Sequence, residues 1–365
     1  MSRTDCHTKL FFFRVVTAVC LVSSAPAFAL QELFETYLAP QALAMGNAWT
    51  ADAYGYGALF HNPAGLAKAE SNRWVITPVA IEGNPGTAYA GLAVAQKKVG
   101  LDKLLPAIQT NPGTYYYFRS AAIPSISRRN FALAFLLNSD AVARSDGNYV
   151  DIRYGNDMGV FAGVSTNLAA NMIKIGVTGK MLLRRHIEGV YSHADMATPA
   201  GMAPYQKEGL GFGADVGVMF TLPMSYVPTV GIVVKDILNT HFRPSTLLGP
   251  AAAGAPTAIQ QAVHAAFSFR PALGKGVRAT FSAELRHILN RNLPFTKKLH
   301  FGFQIQANRR LFVWAGMNQL VMPTFGLGLR VPGGDLEVGT YAQDVSETDA
   351  IEADRRILFR YTISF

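Results

Sequence analysis

The side chains in this sequence that could do chemistry are charged groups set at every second position of otherwise apolar stretches. Lys174, Lys180, Arg184, Asp215, Lys235, Arg270, Arg278, Glu284, Arg286, Arg330, Glu337 and Arg360 all fall this way. A strand sends alternate side chains to opposite faces, so these groups would line one water-facing row. A row of basic groups would draw in an anionic head group such as a fatty carboxylate. Interleaved acids and bases, as along Arg278–Arg286, would instead pair with one another and fill a solvated interior. The interleaving favours the second.

Reactive chemistry finds little support. Seven histidines follow residue 30 (His61, His186, His193, His241, His264, His287 and His300), and none forms His-Glu-x-x-His or an i,i+4 pair. Spacing therefore offers no metal site. No Gly-x-Ser-x-Gly elbow occurs. Gly209-x-Gly211-x-Gly213 and Gly326-x-Gly328 sit inside alternating segments rather than at the strand–turn–helix junction a dinucleotide loop needs. The expectation is a non-enzyme with no catalytic residue, metal or cofactor. The net charge is +9 and falls to +7 without Arg3, Asp5, Lys9 and Arg14. Its basic residues are scattered rather than gathered in runs, which excludes a nucleic-acid partner.

What must position these groups is a sheet. Half of the residues are hydrophobic, yet no stretch beyond the first thirty reaches eighteen consecutive apolar residues, so helical membrane spans are unsupported. A barrel turns one residue in two toward lipid and needs no large core. The 33 glycines and 14 tyrosines suit tight turns and interfacial aromatic girdles. From about Asn72 the period is two: Val277, Ala279, Phe281, Ala283 and Leu285 alternate with Arg278, Thr280, Ser282, Glu284 and Arg286. Short links, such as Arg128–Asn130, Ala169–Asn171 and Pro332–Gly334, alternate with long ones at Gln96–Gly113, Ser139–Asp157, Arg185–Glu208, Ile237–Gln261 and Leu289–Lys298. The expected fold is all-β: a transmembrane antiparallel up-and-down β-barrel of about 14 strands over residues 72–365. Counting back from Phe365 gives fourteen strands to Ala88. Arg73–Ala80 would be a fifteenth, against the even number of bacterial barrels.

The two ends point to export. Arg3, Lys9 and Arg14, the apolar stretch Val15–Val22 and Ala27-Phe28-Ala29 make residues 1–29 a signal peptide. Both cysteines, Cys6 and Cys20, fall inside it, leaving no disulfide in the mature chain. At the other end Ile357, Phe359, Tyr361, Ile363 and Phe365 take alternate positions. With Tyr361 and the final Phe365, this strand resembles the signature read by the barrel assembly machinery of the bacterial outer membrane.

Residues 30–71 carry a different pattern. Met45-Gly46-Asn47-Ala48 is followed by Phe60-His61-Asn62-Pro63-Ala64-Gly65-Leu66. This resembles the N-terminal segment of the FadL family of outer-membrane channels for long-chain fatty acids and other hydrophobic compounds, and of PorV-like relatives that assist protein export. The resemblance implies that the segment folds inward as a hatch, with Gly46, Asn47, Asn62, Pro63, Ala64 and Gly65 as its motif. The usual acidic pair of the spacer is replaced by Asp52 and Tyr54-Gly55-Tyr56. Asn62-Pro63 would itself fix a turn, because proline locks φ and asparagine bonds nearby backbone.

Three functions compete. Passive uptake of a hydrophobic or amphipathic small molecule leads, with Lys180, Asp215, Arg278, Glu284, Arg286 and Arg330 along the path. An accessory barrel in protein secretion and a porin for small anionic solutes are the alternatives. Partners would be outer-membrane lipids, a hydrophobic ligand and the assembly machinery. Pro124 is the candidate for a lateral opening, since proline removes a ladder donor and is tolerated in sheets only at edges or bulges.

Overall fold

The computed structural model describes residues 35–69, 72–87, 108–249, 253–274, 276–308, 310–346 and 351–365. The signal peptide and the Ala88 segment lie outside the described residues. Fourteen antiparallel strands form a closed ring: β1 (Arg73–Gly83), β2 (Tyr115–Ala122 continued by Ser125–Arg128), β3 (Phe131–Ser145), β4 (Tyr149–Leu168), β5 (Ile173–Ser192), β6 (Lys207–Thr221) and β7 (Thr229–Lys235 with Phe242–Pro244) lead. They are followed by β8 (Ala262–Phe269 with Ala272–Gly274), β9 (Val277–Leu285), β10 (Leu299–Ala307), β11 (Leu311–Asn318), β12 (Met322–Val331), β13 (Gly334–Asp344) and β14 (Ala353–Ser364). β1 closes the ring by pairing both β14, at Val75↔Ser364, and β2, at Ala80↔Ala121. The Arg73 segment is thus a wall strand, and the ring closes without one from Ala88.

Alternation sets the two faces. On β3, Phe131, Leu133, Phe135 and Leu137 point outward and are exposed, while Ala132, Ala134 and Leu136 point inward and are buried. On β14, Ile357, Phe359 and Tyr361 are outward, against buried Leu358, Arg360 and Thr362. No described helix is long and apolar enough to cross a membrane; the apolar surface belongs to the strands.

The expected long link Ser139–Asp157 is instead mostly strand. β3 runs to Ser145 and β4 begins at Tyr149, paired without a break down to Phe131↔Val164. β4 and β5 are 20 residues each, about 65 Å at ~3.3 Å per residue. Crossing a bilayer takes only ~9–11 residues, so their loop-end halves project beyond it. There loop residues cover the wall, with Val150, Ile152 and Ile187 buried against Met196 and Met202, and hydrophobic alternation fades although the hydrogen-bond ladder continues.

Residues 35–69 lie inside the ring. α1 (Pro40–Ala44) and α2 (Ala58–His61) are single short turns, and a 3-10 helix follows at Pro63–Lys68. The 3-10 helix touches β4, β5 and β6, while α1 touches β11 to β14 across the lumen. The wall is bare where they approach. A Cβ on Gly176 would lie 2.3 Å from Pro63 backbone atoms, and one on Gly217 1.9 Å from Asn62 Oδ1. One on Gly316 would lie 2.5 Å from Gly46 N. Small alanines on the segment (Ala42, Ala44, Ala48, Ala53, Ala58 and Ala64, all buried) complete the fit.

Candidate functional site

Between the inner segment and the long loops lies a cavity of about 560 Å³. One side is aromatic: Tyr37, Phe60 and Phe161 line it, with ring centroids 4.9 Å apart for Tyr37–Phe60 and 4.7 Å for Phe60–Phe161. The other side is ionic. Lys180 Nζ lies 2.8 Å from Asp215 and 2.9 Å from Asp236, and Lys235 Nζ 2.6 Å from Glu35. Arg184 donates to both Asp157 oxygens at 2.7 Å. Charges this far from water persist only when paired and hydrogen-bonded. The lining holds Arg153, Lys180, Arg184 and Lys235 against Glu35, Glu188, Asp215 and Asp236, so it carries no excess of either sign.

A second layer joins the inner segment to the wall. Glu284, buried, accepts from the Thr50 N–H and hydroxyl at 2.8 Å each. Arg286 donates to Asn47 O at 3.0 Å and is ion-paired with Glu35. Burial alone would push the Glu35 carboxyl up, but Arg286 and Lys235 outweigh it and hold it well below the usual carboxylate range. Burial, then the charges of Lys235 and Arg286, push the His61 imidazole well down. Neutral His61 can therefore accept the Ala39 N–H at Nε2, at 3.1 Å.

The segment's motif residues hold its shape. Gly46 and Asn47 are left-handed in succession, at φ 62° and 64°, and a Cβ at Gly46 would meet Phe301 O at 2.6 Å. Asn62 caps the 3-10 helix by accepting from Ala64 N–H at 3.1 Å. Its Nδ2 donates to Thr50 O at 3.1 Å and Val218 O at 3.5 Å. Pro63 opens that helix, where a missing N–H costs nothing. Gly65 passes so close to Ala53 that a Cβ would sit 2.1 Å from its carbonyl oxygen. Asp52 accepts from Arg270 Nε and Ser282 Oγ, each at 2.8 Å.

Of the residues singled out by alternation, Lys180 and Asp215 meet at the cavity, with Glu284 and Arg286 beneath it. Arg278 and Arg330 do not join them. Arg278 is exposed at the start of β9, eight residues from Arg286 and so ~26 Å away along the strand. Arg330 pairs with Asp335 at 3.0 Å near the β12–β13 turn. Both sit at the short-turn end, opposite the cavity. Alternation tells which face a residue takes but not its height along the barrel. Spacing also missed Glu35, on the inner segment, and Asp236, His264 and His287, on or just past three successive wall strands. It missed a loop-end cluster too: Glu82 accepts from Tyr117 OH at 3.1 Å and Tyr341 OH at 2.6 Å, and the Arg356 guanidinium sits 3.5 Å over the Tyr117 ring.

Around Pro124 the ladder is uneven. Phe135 N–H donates to Pro124 O at 2.9 Å, and proline has no N–H to return. On the other side the β1–β2 register shifts by one residue between Val75↔Ser125 and Ala80↔Ala121. Beside this break the outer face bears a groove of about 550 Å³, lined by Val79, Ile81, Ala122, Leu137 and Met158 among others. At the terminus, Phe365 and Trp74 exchange both backbone bonds at 3.0 Å, and the Phe365 and Tyr361 side chains are exposed outward.

No protein-family model matches the chain, and no curated protein matches its sequence. Solved structures do match. The toluene transporter TodX of Pseudomonas putida superposes with a TM-score of 0.51 at 10% identity, covering 92% of this chain and 98% of that one. The monoaromatic hydrocarbon channel CymD gives 0.53 at 11%, covering 89% and 96%. A FadL homologue of Pseudomonas aeruginosa gives 0.51 at 12%, covering 92% and 99%. These are transport channels rather than enzymes, and the likeness is consistent with a bacterial outer-membrane location. The closed 14-stranded ring, its inward-folded N-terminal segment and this whole-length likeness together give the chain the FadL-like fold of outer-membrane channels for hydrophobic compounds.

Proposed function

We propose that the protein takes up hydrophobic or amphipathic small molecules through the outer membrane, with residues 30–71 as the hatch that closes the lumen. The observation that carries this is the 560 Å³ cavity with an aromatic wall facing an ionic one. Its volume is that of a small-molecule site, ~300–1,000 Å³. A molecule with an apolar body would lie on Tyr37, Phe60 and Phe161 and turn a polar atom toward the ion pairs. The lining cations are balanced by carboxylates, so an anionic head group gains little there. Neutral amphiphiles and aromatic compounds therefore fit better than long-chain fatty acids. A lumen crossed by a packed segment also favours this reading over a porin.

Release would follow the uneven wall at Pro124, because a hydrophobic solute gains nothing by entering an aqueous periplasm. The outer groove beside it would hand the solute to outer-membrane lipid. Assembly would depend on the machinery that reads the final strand, with Tyr361 and Phe365 as its signal.

The test is uptake by cells lacking other such channels, using a labelled monoaromatic, a medium-chain alcohol and a long-chain fatty acid. Expression should speed entry of the first two more than the third. Phe161→Asp should abolish the gain while the barrel still assembles. Equal entry with and without the protein would overturn the proposal.

A further inference from the structure

On the cavity wall, one ligand atom from each of Glu35, His264 and His287 lies within 4.8 Å of the other two. The three come together only through the fold. His264 is on β8 and His287 just past β9, which are adjacent strands, while Glu35 arrives on the inner segment. The two imidazole rings are 4.9 Å apart by centroid, and His287 Nε2 is 3.6 Å from Glu35 Oε1.

His264 is the residue that needs explaining. It is 1% exposed, and no described residue offers its Nε2 a hydrogen bond. A buried polar atom left unsatisfied costs ~1–3 kcal/mol. Its other nitrogen, Nδ1, faces Glu284 Oε1 at 3.7 Å, and Glu284 is itself fixed by Thr50. A carboxylate behind one ring nitrogen, with the other left free, is how metal-ligating histidines are oriented. Glu35 has matching support, since Arg286 can hold one of its oxygens while the other binds.

We propose that His264, His287 and Glu35 bind a divalent first-row transition-metal ion of the Zn²⁺ type. Two imidazoles and one carboxylate suit such an ion and do not suit Ca²⁺ or Mg²⁺. Bonds of ~2.0–2.1 Å place tetrahedral donors ~3.3 Å apart, so donors now within 4.8 Å must close by up to ~1.5 Å. The obstacle is Lys235, whose ammonium occupies Glu35 Oε2, and the metal must displace it. Once bound, the ion would tie the inner segment to the wall at Glu35.

The test uses the full mature barrel in detergent. Zn²⁺ is titrated against a chromogenic chelator, and Co²⁺ binding is followed by its visible ligand-field bands. The wild type should bind one equivalent, with a low-symmetry Co²⁺ spectrum. His264→Gln and His287→Gln should each weaken binding by at least ~10-fold, the scale on which even supporting residues matter. Lys235→Met should tighten it by removing the competing cation, an effect that a purely structural role for these residues would not produce. Should the histidine variants fail to assemble, the wild-type Co²⁺ titration and Lys235→Met still decide. No saturable wild-type signal, unchanged affinity in assembled histidine variants, or no gain in Lys235→Met would each overturn the site.

Discussion

Adding one methyl group at Gly176 should unseat the inner segment. The Cβ of Gly176→Ala would stand 2.3 Å from Pro63 C and O and 2.5 Å from Ala64 N. These are backbone atoms of a capped turn, so no side chain can rotate away. Reaching van der Waals contact requires the segment to retreat by ~1 Å, a misfit of the kind that costs ~1–3 kcal/mol. That shifts the docked-to-released ratio by ~5- to 150-fold. Gly179→Ala is the control: it lies on the same strand, faces outward and meets nothing within 4 Å. Single-channel conductance in planar bilayers reads the outcome, with heat-modifiable migration confirming assembly. Gly176→Ala should open often, and Gly179→Ala should match wild type. Equal closure in both assembled variants would refute the idea that bare glycines seat the segment.

Asn62→Ala removes the cap on Ala64 and the bonds to Thr50 and Val218. It should loosen the segment by ~1–2 kcal/mol, seen as raised conductance; a silent barrel would refute it. Acid should release the segment in two stages. Docked His61 resists protonation, so its contribution is present above pH ~6.5 and fades as pH falls below that. Glu35 is held low, so its share is present above pH ~4.3 and is lost on further acidification. Protease nicking of the segment should rise with falling pH, and a flat profile would contradict both. Deleting Phe365 should leave unfolded chain in the periplasm; normal heat-modifiable migration would remove its role as an assembly signal. Pro124→Val restores a ladder donor and should slow solute entry at equal or greater barrel stability, whereas wild-type uptake would leave Pro124 as a simple strand irregularity.

Much of the wall was legible because lipid enforces a strict rule. Where a strand crosses apolar surroundings, every outward residue must be apolar, as along Phe131–Leu137 and Ile357–Tyr361. The rule lapses beyond the membrane, so Ser139–Asp157 read as a loop although its ladder is continuous. The odd strand count arose because Arg73–Gly83, interrupted at Thr77–Pro78, carries a weaker pattern than the segment from Ala88. The site was half legible. Alternation found Lys180, Asp215, Glu284 and Arg286 because they share the inward face. It could not place Arg278 and Arg330 at the far end, nor bring Glu35 to His264, 229 residues on. That meeting depends on an inner segment whose position comes from glycine clearances rather than from any local period.

The β4–β5 hairpin has a consequence for the order of folding. It pairs twenty residues with twenty, from Leu168↔Ile173 to Tyr149↔Ser192, without one register shift. A four-residue turn closes it, with Ala169, Ala170 and Asn171 all at positive φ. Its contacts are local, so little chain entropy is lost before bonds form. The seam between β1 and β14 joins residues almost three hundred positions apart, at Val75↔Ser364, and must form late. The hairpin therefore offers a ready surface in the nascent barrel. Its inner side carries Gly163 and Gly176, the bare patches that receive Leu59, Leu66 and Pro63. A segment seated there early would be enclosed as the ring shuts, and would not have to thread into a finished one.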